Sequence, residues 1–138
     1  MPATAKDAMD ALLAIEAFLP VSEFLVLARH CVKGEEQQYF RDKMVELANL
    51  IATMPKTYEQ DGKGDQAIAY LHYFSPSGDW YVTEKDQEDE QHQAFGLANL
   101  GEPELGYISI VELVKYGVEL DLHWTPKTLA EVKKEKGW

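Results

Sequence analysis

Cysteine is almost missing from this 138-residue chain; Cys31 is the only one. An intramolecular disulfide is excluded, as are paired-cysteine metal and redox sites. Cys31 is expected to be a buried thiol acting as a small hydrophobe. His30 is its neighbour in sequence, but neighbours along a helix point in different directions. Long apolar runs are missing too. None approaches the roughly 18 residues of a spanning helix, and residues 11–15 are too short and lack the basic flank of a secretory core. The expected location is the cytoplasm, with no membrane partner. Bases are scarce: 13 Lys and Arg stand against 24 Asp and Glu, giving −11. The excess lies in the middle, where residues 55–127 hold 14 acids and 5 bases. Such a surface repels phosphate backbones, so direct nucleic-acid binding is disfavoured, and it attracts basic protein surfaces.

Motifs of covalent and phosphate chemistry are absent as well. There is no G-x-S-x-G nucleophile turn, and Ser22, Ser75, Ser77 and Ser109 lack a partner pattern. Neither YEQDGKGD at residues 58–65 nor GLANLGEPELG at residues 96–106 has phosphate-loop spacing, and acids in the second would repel phosphate. No cofactor is expected.

What is present organises the chain as one domain, residues 1–138. Residues 1–55 are helical, 66–124 form a sheet, and 125–136 a closing helix. The helical patterns run over residues 6–18, 22–32 and 35–54. The third is clearest: Phe40, Met44, Leu47, Ile51 and Met54 step by four and three, which is a core-facing stripe. Gly34 and Pro55 punctuate it. Strands are expected at 67–74, 80–83, 94–98 and 107–110, the first two joined by the turn SPSGD. Gly101, Pro103 and Gly106 read as a turn. A short helix over 110–116 stops at Gly117. Residues 118–124 alternate as a strand, with Glu119, Asp121 and His123 on one face. Thr125 is read as the N-cap of the closing helix and Pro126 as its first residue. The class is α+β: three helices, then a mostly antiparallel sheet of four or five strands, then a closing helix.

Two places could carry chemistry. A strand row of Glu119, Asp121 and His123, completed by His72 from another strand, has the ligand types that hold a divalent metal or position a water. Glu84 is a further candidate for that row. An outward polar sheet face explains the same pattern. The acidic loop Glu84, Asp86, Glu88, Asp89 and Glu90 is a candidate partner-binding surface, and a solvated loop is its plain alternative. His92 sits in the same loop among carboxylates.

The chain also carries Thr83-Glu84 with Asp86, Ala94-Phe95-Gly96-Leu97 with Leu100-Gly101, and Pro103-Glu104-Leu105-Gly106-Tyr107. Ser109, Glu112-Leu113, Asp121 and Thr125-Pro126 follow. In these blocks, over residues 70–126, it resembles the bacterial family called domain of unknown function 2958. That resemblance implies a setting on plasmids and other mobile elements, where small acidic proteins that counter host defence are common. It implies no catalytic residues.

The leading expectation is a non-enzymatic interaction protein docking on a basic, nucleic-acid-handling partner such as a host nuclease or a CRISPR or restriction effector. The alternative is a small metal-dependent hydrolase using His72, Glu119, Asp121 and His123. A third reading is an assembly subunit, a homodimer, with Tyr81 and Trp138 as candidate exposed aromatics.

Overall fold

A computed structural model describes residues 2–138. Helices α1 (Ala5–Ala14), α2 (Val21–His30) and α3 (Gln37–Thr53) come first. Strands β1 (Ile68–Ala69), β2 (Leu71–Ser75), β3 (Gly78–Glu84), β4 (Ala94–Asn99) and β5 (Pro103–Ile108) follow. Helix α4 (Ile110–Lys115), strands β6 (Glu119–Leu120) and β7 (Lys127–Thr128), and helix α5 (Leu129–Lys136) complete the order. The α+β expectation holds: a five-stranded antiparallel sheet, order β5-β4-β3-β2-β6, lies between the helical layer and α5.

Helix α1 starts with a capping box, in which Thr4 and Asp7 satisfy each other's backbone N–H. The four-three stripe of α3 buries Met44, Leu47 and Ile51 as its spacing requires. These pack with Leu12, Ile15 and Leu27 against Leu71, Tyr73, Val82 and Leu120 of the sheet. Cys31 is fully buried there. The opposite sheet face forms a second, smaller core. Tyr81 and Leu97 meet Leu129 and Val132 of α5, with Trp124 and Trp138 against them. Tyr81 is therefore wholly buried, not an exposed aromatic.

Three local readings are corrected. The segment from Gly101 to Gly106 is not all turn: β5 begins at Pro103, because Leu105 and Tyr107 alternate on one face and the strand lies at the sheet edge, where Pro is tolerated. The strand read over 118–124 lasts only through Leu120, and residues 122–123 turn. The last helix starts later than expected. Thr128 caps it in a box with Glu131, while Lys127 and Thr128 pair with Ala69 and Ile68 as a small second sheet.

The β3–β4 pairing is interrupted. Val82 pairs with Gly96 and Glu84 with Phe95, so Thr83 is an extra residue, a bulge. The backbones approach so closely there that a Cβ on Gly96 would lie 2.0 Å from the Tyr81 carbonyl oxygen. Glycine is required at that position. Gly96→Ala should cost about 3 kcal/mol by forcing the strands apart. Gly106→Ala on β5, where a Cβ meets nothing within 4 Å, should stay within about 0.5 kcal/mol. Urea unfolding of the two variants checks the contrast.

Candidate functional site

Paired residues in an antiparallel sheet share a face. Simple alternation along β3 would place Glu84 with Trp80 and Val82, toward the helical core. The bulge moves it to the face of its partner Phe95. There the carboxylate is 4 % exposed and fully engaged: Oε1 accepts from Tyr58 N–H at 2.8 Å and Oε2 from Gln60 N–H at 2.7 Å. Gln60 is buried as well. Its amide joins β1 to β3 by donating to the carbonyls of Ile68 and Thr83 and accepting from Ile68 N–H. Tyr58 sits at φ +81, a conformation costly for a side chain of its size. The hold of Glu84 on its N–H keeps it there.

The gripped loop and the outer strands enclose a cleft of about 510 Å³. Its walls are Tyr58, Phe95, Leu105 and Tyr107, and its polar lining includes Gln60, Asp61, Thr83 and Glu84. The Phe95 and Tyr107 rings stand at 86° with centroids 5.7 Å apart. The Tyr58 and Tyr107 hydroxyls hydrogen-bond at 2.7 Å, which raises the Tyr107 phenol above its ordinary pKa. Tyr58 and Tyr107 are nonetheless largely exposed.

Two residues beyond Glu84, Asp86 organises the acidic loop. Its Oδ1 accepts from Glu88 N–H, and its Oδ2 from both His92 and Gln93 N–H. Burial pushes this carboxyl up, but the backbone N–H groups of Glu88, Gln93, His92 and Gln87 together outweigh that and hold it below its ordinary range. Buried Gln91, at φ +57, accepts from Asp86 N–H and donates to the Glu88 carbonyl. Glu84 and Asp86, two of the five acids named as a candidate partner-binding surface, are therefore buried internal braces. Glu88, Asp89 and Glu90 are exposed. Among the described residues neither Glu88 nor Asp89 has a cation within 4 Å, and Glu90 faces His92 at 3.8 Å.

The proposed metal set does not converge. His72 and Asp121 do meet, at 2.9 Å between Nδ1 and Oδ2, but the other ring nitrogen faces Asp79 Oδ1 at 2.8 Å. The ring also stacks on Tyr81 at 4.5 Å and 8°. With both nitrogens occupied by carboxylates, His72 is a linchpin between β2, β3 and the segment after β6, not an open ligand. Asp121 turns the chain, accepting from His123 N–H, so the expected strand row is broken. Glu119 and His123 instead line a separate groove of about 350 Å³ with Glu23, His30, Tyr39 and Lys43. Among the described residues no three His, Cys, Asp or Glu side chains are arranged to hold a metal ion.

Glu23 was not visible as special in the sequence. Partial burial of this first-turn residue of α2 beside β6 pushes its carboxyl up to about 7; the Leu120 N–H opposes this, and Glu119 and Asp121 reinforce it. No signal in the local sequence marks it, since the neighbours that matter are almost a hundred residues away.

The fold and cleft define an α+β domain with an aromatic-walled, acidic recess beside an acidic loop. The chain belongs to the family described as "Protein of unknown function (DUF2958)", whose model matches residues 43–130. Thr83, Glu84, Phe95, Leu105 and Tyr107, among the residues that carried the resemblance, come together in the cleft. No curated protein and no solved structure matches the chain. No helix among the described residues is long and apolar enough to cross a membrane.

Two outcomes follow from the braces and the groove. Glu84→Gln replaces one acceptor by an amide N–H aimed at a backbone N–H, and should cost about 2 kcal/mol. Hydrogen exchange at Tyr58 and Gln60 should accelerate in parallel. Glu23 binds its proton more tightly folded than unfolded, where 4.5 is the ordinary value. Between about 4.5 and 7 the folded chain thus holds the extra proton, and its stability declines as pH rises through that window. Glu23→Gln should remove this decline, gaining on the wild type between about pH 5 and about pH 8 in chemical denaturation.

Proposed function

We propose that this chain is a non-enzymatic interaction module whose acidic loop docks on a basic, nucleic-acid-handling protein surface. A host-defence nuclease, such as a CRISPR or restriction effector, has the required chemistry. The observation that carries the reading is the display of Glu88, Asp89 and Glu90 on a loop pinned from beneath by Asp86. A braced anionic surface loses little conformational freedom on docking, and its field accelerates encounter with a cationic partner. Further support comes from the concentration of negative charge in residues 55–127 and from the engagement of His72 on both sides. The loop lies within the segment shared with the family.

The test is capture of partners from a bacterial lysate by wild type and by the triple variant Glu88→Lys, Asp89→Lys, Glu90→Lys. The expected partner binds nucleic acid, is displaced by added duplex DNA or RNA, and is lost at about 0.5 M salt, where screening acts within a few ångströms. Its association with the triple variant should slow by about tenfold or more. A partner that binds both proteins equally and ignores the polyanion would sink the reading.

A further inference from the structure

We infer that the aromatic cleft between the Tyr58 loop and strand β5 is a receptor for an arginine side chain presented by a partner protein. Two of its walls, Phe95 and Tyr107, meet nearly at right angles, so a planar group lying on one ring has the edge of the other beside it. Tyr58 supplies a third ring. Around them the charge is of one sign: Asp61 and Glu84 line the cleft, and among the described residues no Lys or Arg does. An aromatic recess with carboxylates and no competing cation favours a cationic group, because the ring faces and the carboxylates attract the same charge. A guanidinium fits best. It is flat, weakly hydrated and stacks on rings while its N–H groups remain free to donate.

The surroundings show how such a side chain would arrive. Thr57, next to Tyr58, donates from its hydroxyl to the Gln93 carbonyl at 2.7 Å, and its own carbonyl accepts from Gln87 Nε2 at 2.9 Å. The Tyr58 loop and the acidic loop therefore share one hydrogen-bonded frame. The loop attracts a basic partner over distance, and the cleft holds one of its arginines by contact. Energies at protein interfaces concentrate in such enclosed anchor pockets rather than in exposed charges. The positive φ of Tyr58 fits this role: the strained conformation places a ring at the cleft, where a glycine would be easier for the backbone. The inference relies on the docking reading only for the source of the arginine; the pocket itself stands on its own geometry.

The test uses N-acetyl-arginine amide and its neutral citrulline counterpart, titrated into isotope-labelled full-length chain and followed by amide NMR shifts. The arginine amide should move Tyr58, Gly62, Phe95 and Tyr107 in a saturable way. The citrulline amide should bind about tenfold more weakly, which is about 1.4 kcal/mol and within the range of a partly desolvated cation–ring attraction. Tyr58→Gly keeps the backbone conformation without strain and should retain the fold while binding the arginine amide at least about fivefold more weakly. Equal binding of the two amides, shifts confined to residues outside the cleft, or unchanged binding by Tyr58→Gly would each overturn the inference. The same titration on the loop triple variant separates the two readings. Local arginine binding that survives there, with no partner captured from lysate, upholds the cleft and refutes the docking surface. Partner capture with no arginine binding does the reverse.

Discussion

The bulge at Thr83 is the constraint on which the rest depends. It lies where β3 and β4 approach too closely for any residue but glycine at position 96. Its effect is to divide four consecutive residues among four parts of the molecule. The Thr83 hydroxyl donates to the Phe95 carbonyl at 3.1 Å and secures the bulge itself. Glu84 turns to the cleft side and grips the Tyr58 loop. Lys85 reaches back to the end of α3, where its ammonium donates to the Ile51 carbonyl at 2.6 Å, a favourable place for a cation. Asp86 gathers the N–H groups of the acidic loop. One irregular strand end thus joins the sheet, the helical layer, the cleft and the loop.

This arrangement explains how a chain so rich in acids remains compact. Two sets of its carboxylates stand out around the bulge. Glu84, Asp86 and Asp121 accept from backbone N–H groups, and Asp79 and Asp121 lie against the two ring nitrogens of His72, so this set is tied inward. Glu88, Asp89 and Glu90 face solvent. The inner set shapes the surface on which the outer set sits. Glu23 belongs to neither. Half-buried in the first turn of α2, it has only the Leu120 N–H to answer it, and its raised pKa reflects that shortage.

Much of the fold was legible because it rests on periodicity. The stripe of α3, the SPSGD hairpin turn and the stop at Gly117 all follow from local rules, and the structure keeps each of them. The site was less legible, for physical reasons. A bulge reverses the face of every residue beyond it, and nothing in Trp80 to Glu84 marks where the extra residue falls. The same uncertainty hid the cleft. Leu105 and Tyr107 form a two-residue alternation masked by Pro103 and Gly106, and Tyr58 becomes a wall only through the grip of a residue 26 positions away. The row Glu119, Asp121, His123 failed for the opposite reason. Its alternation was regular, but Asp121 uses its side chain to cap a turn, as Asp readily does, and the strand ends before the row is complete.

An exposed, flexible acidic tail would repel nucleic acid equally well, yet this chain builds its acids on a frame. The difference matters for recognition. Charges on a mobile segment attract any cation and gain little from any particular one, because ordering the segment opposes the attraction. Here Asp86 and Gln91 fix the loop in advance, and Thr57 ties the same frame to an aromatic recess. On the proposed docking reading, a partner would have to match a charge pattern and an anchor position together. That double requirement would discriminate among basic surfaces, since a misplaced anchor would leave the recess unfilled while the charges still attracted. The strained Tyr58 and the buried carboxylate beneath it make that position definite, so the least comfortable backbone in the cleft is also what fixes its shape.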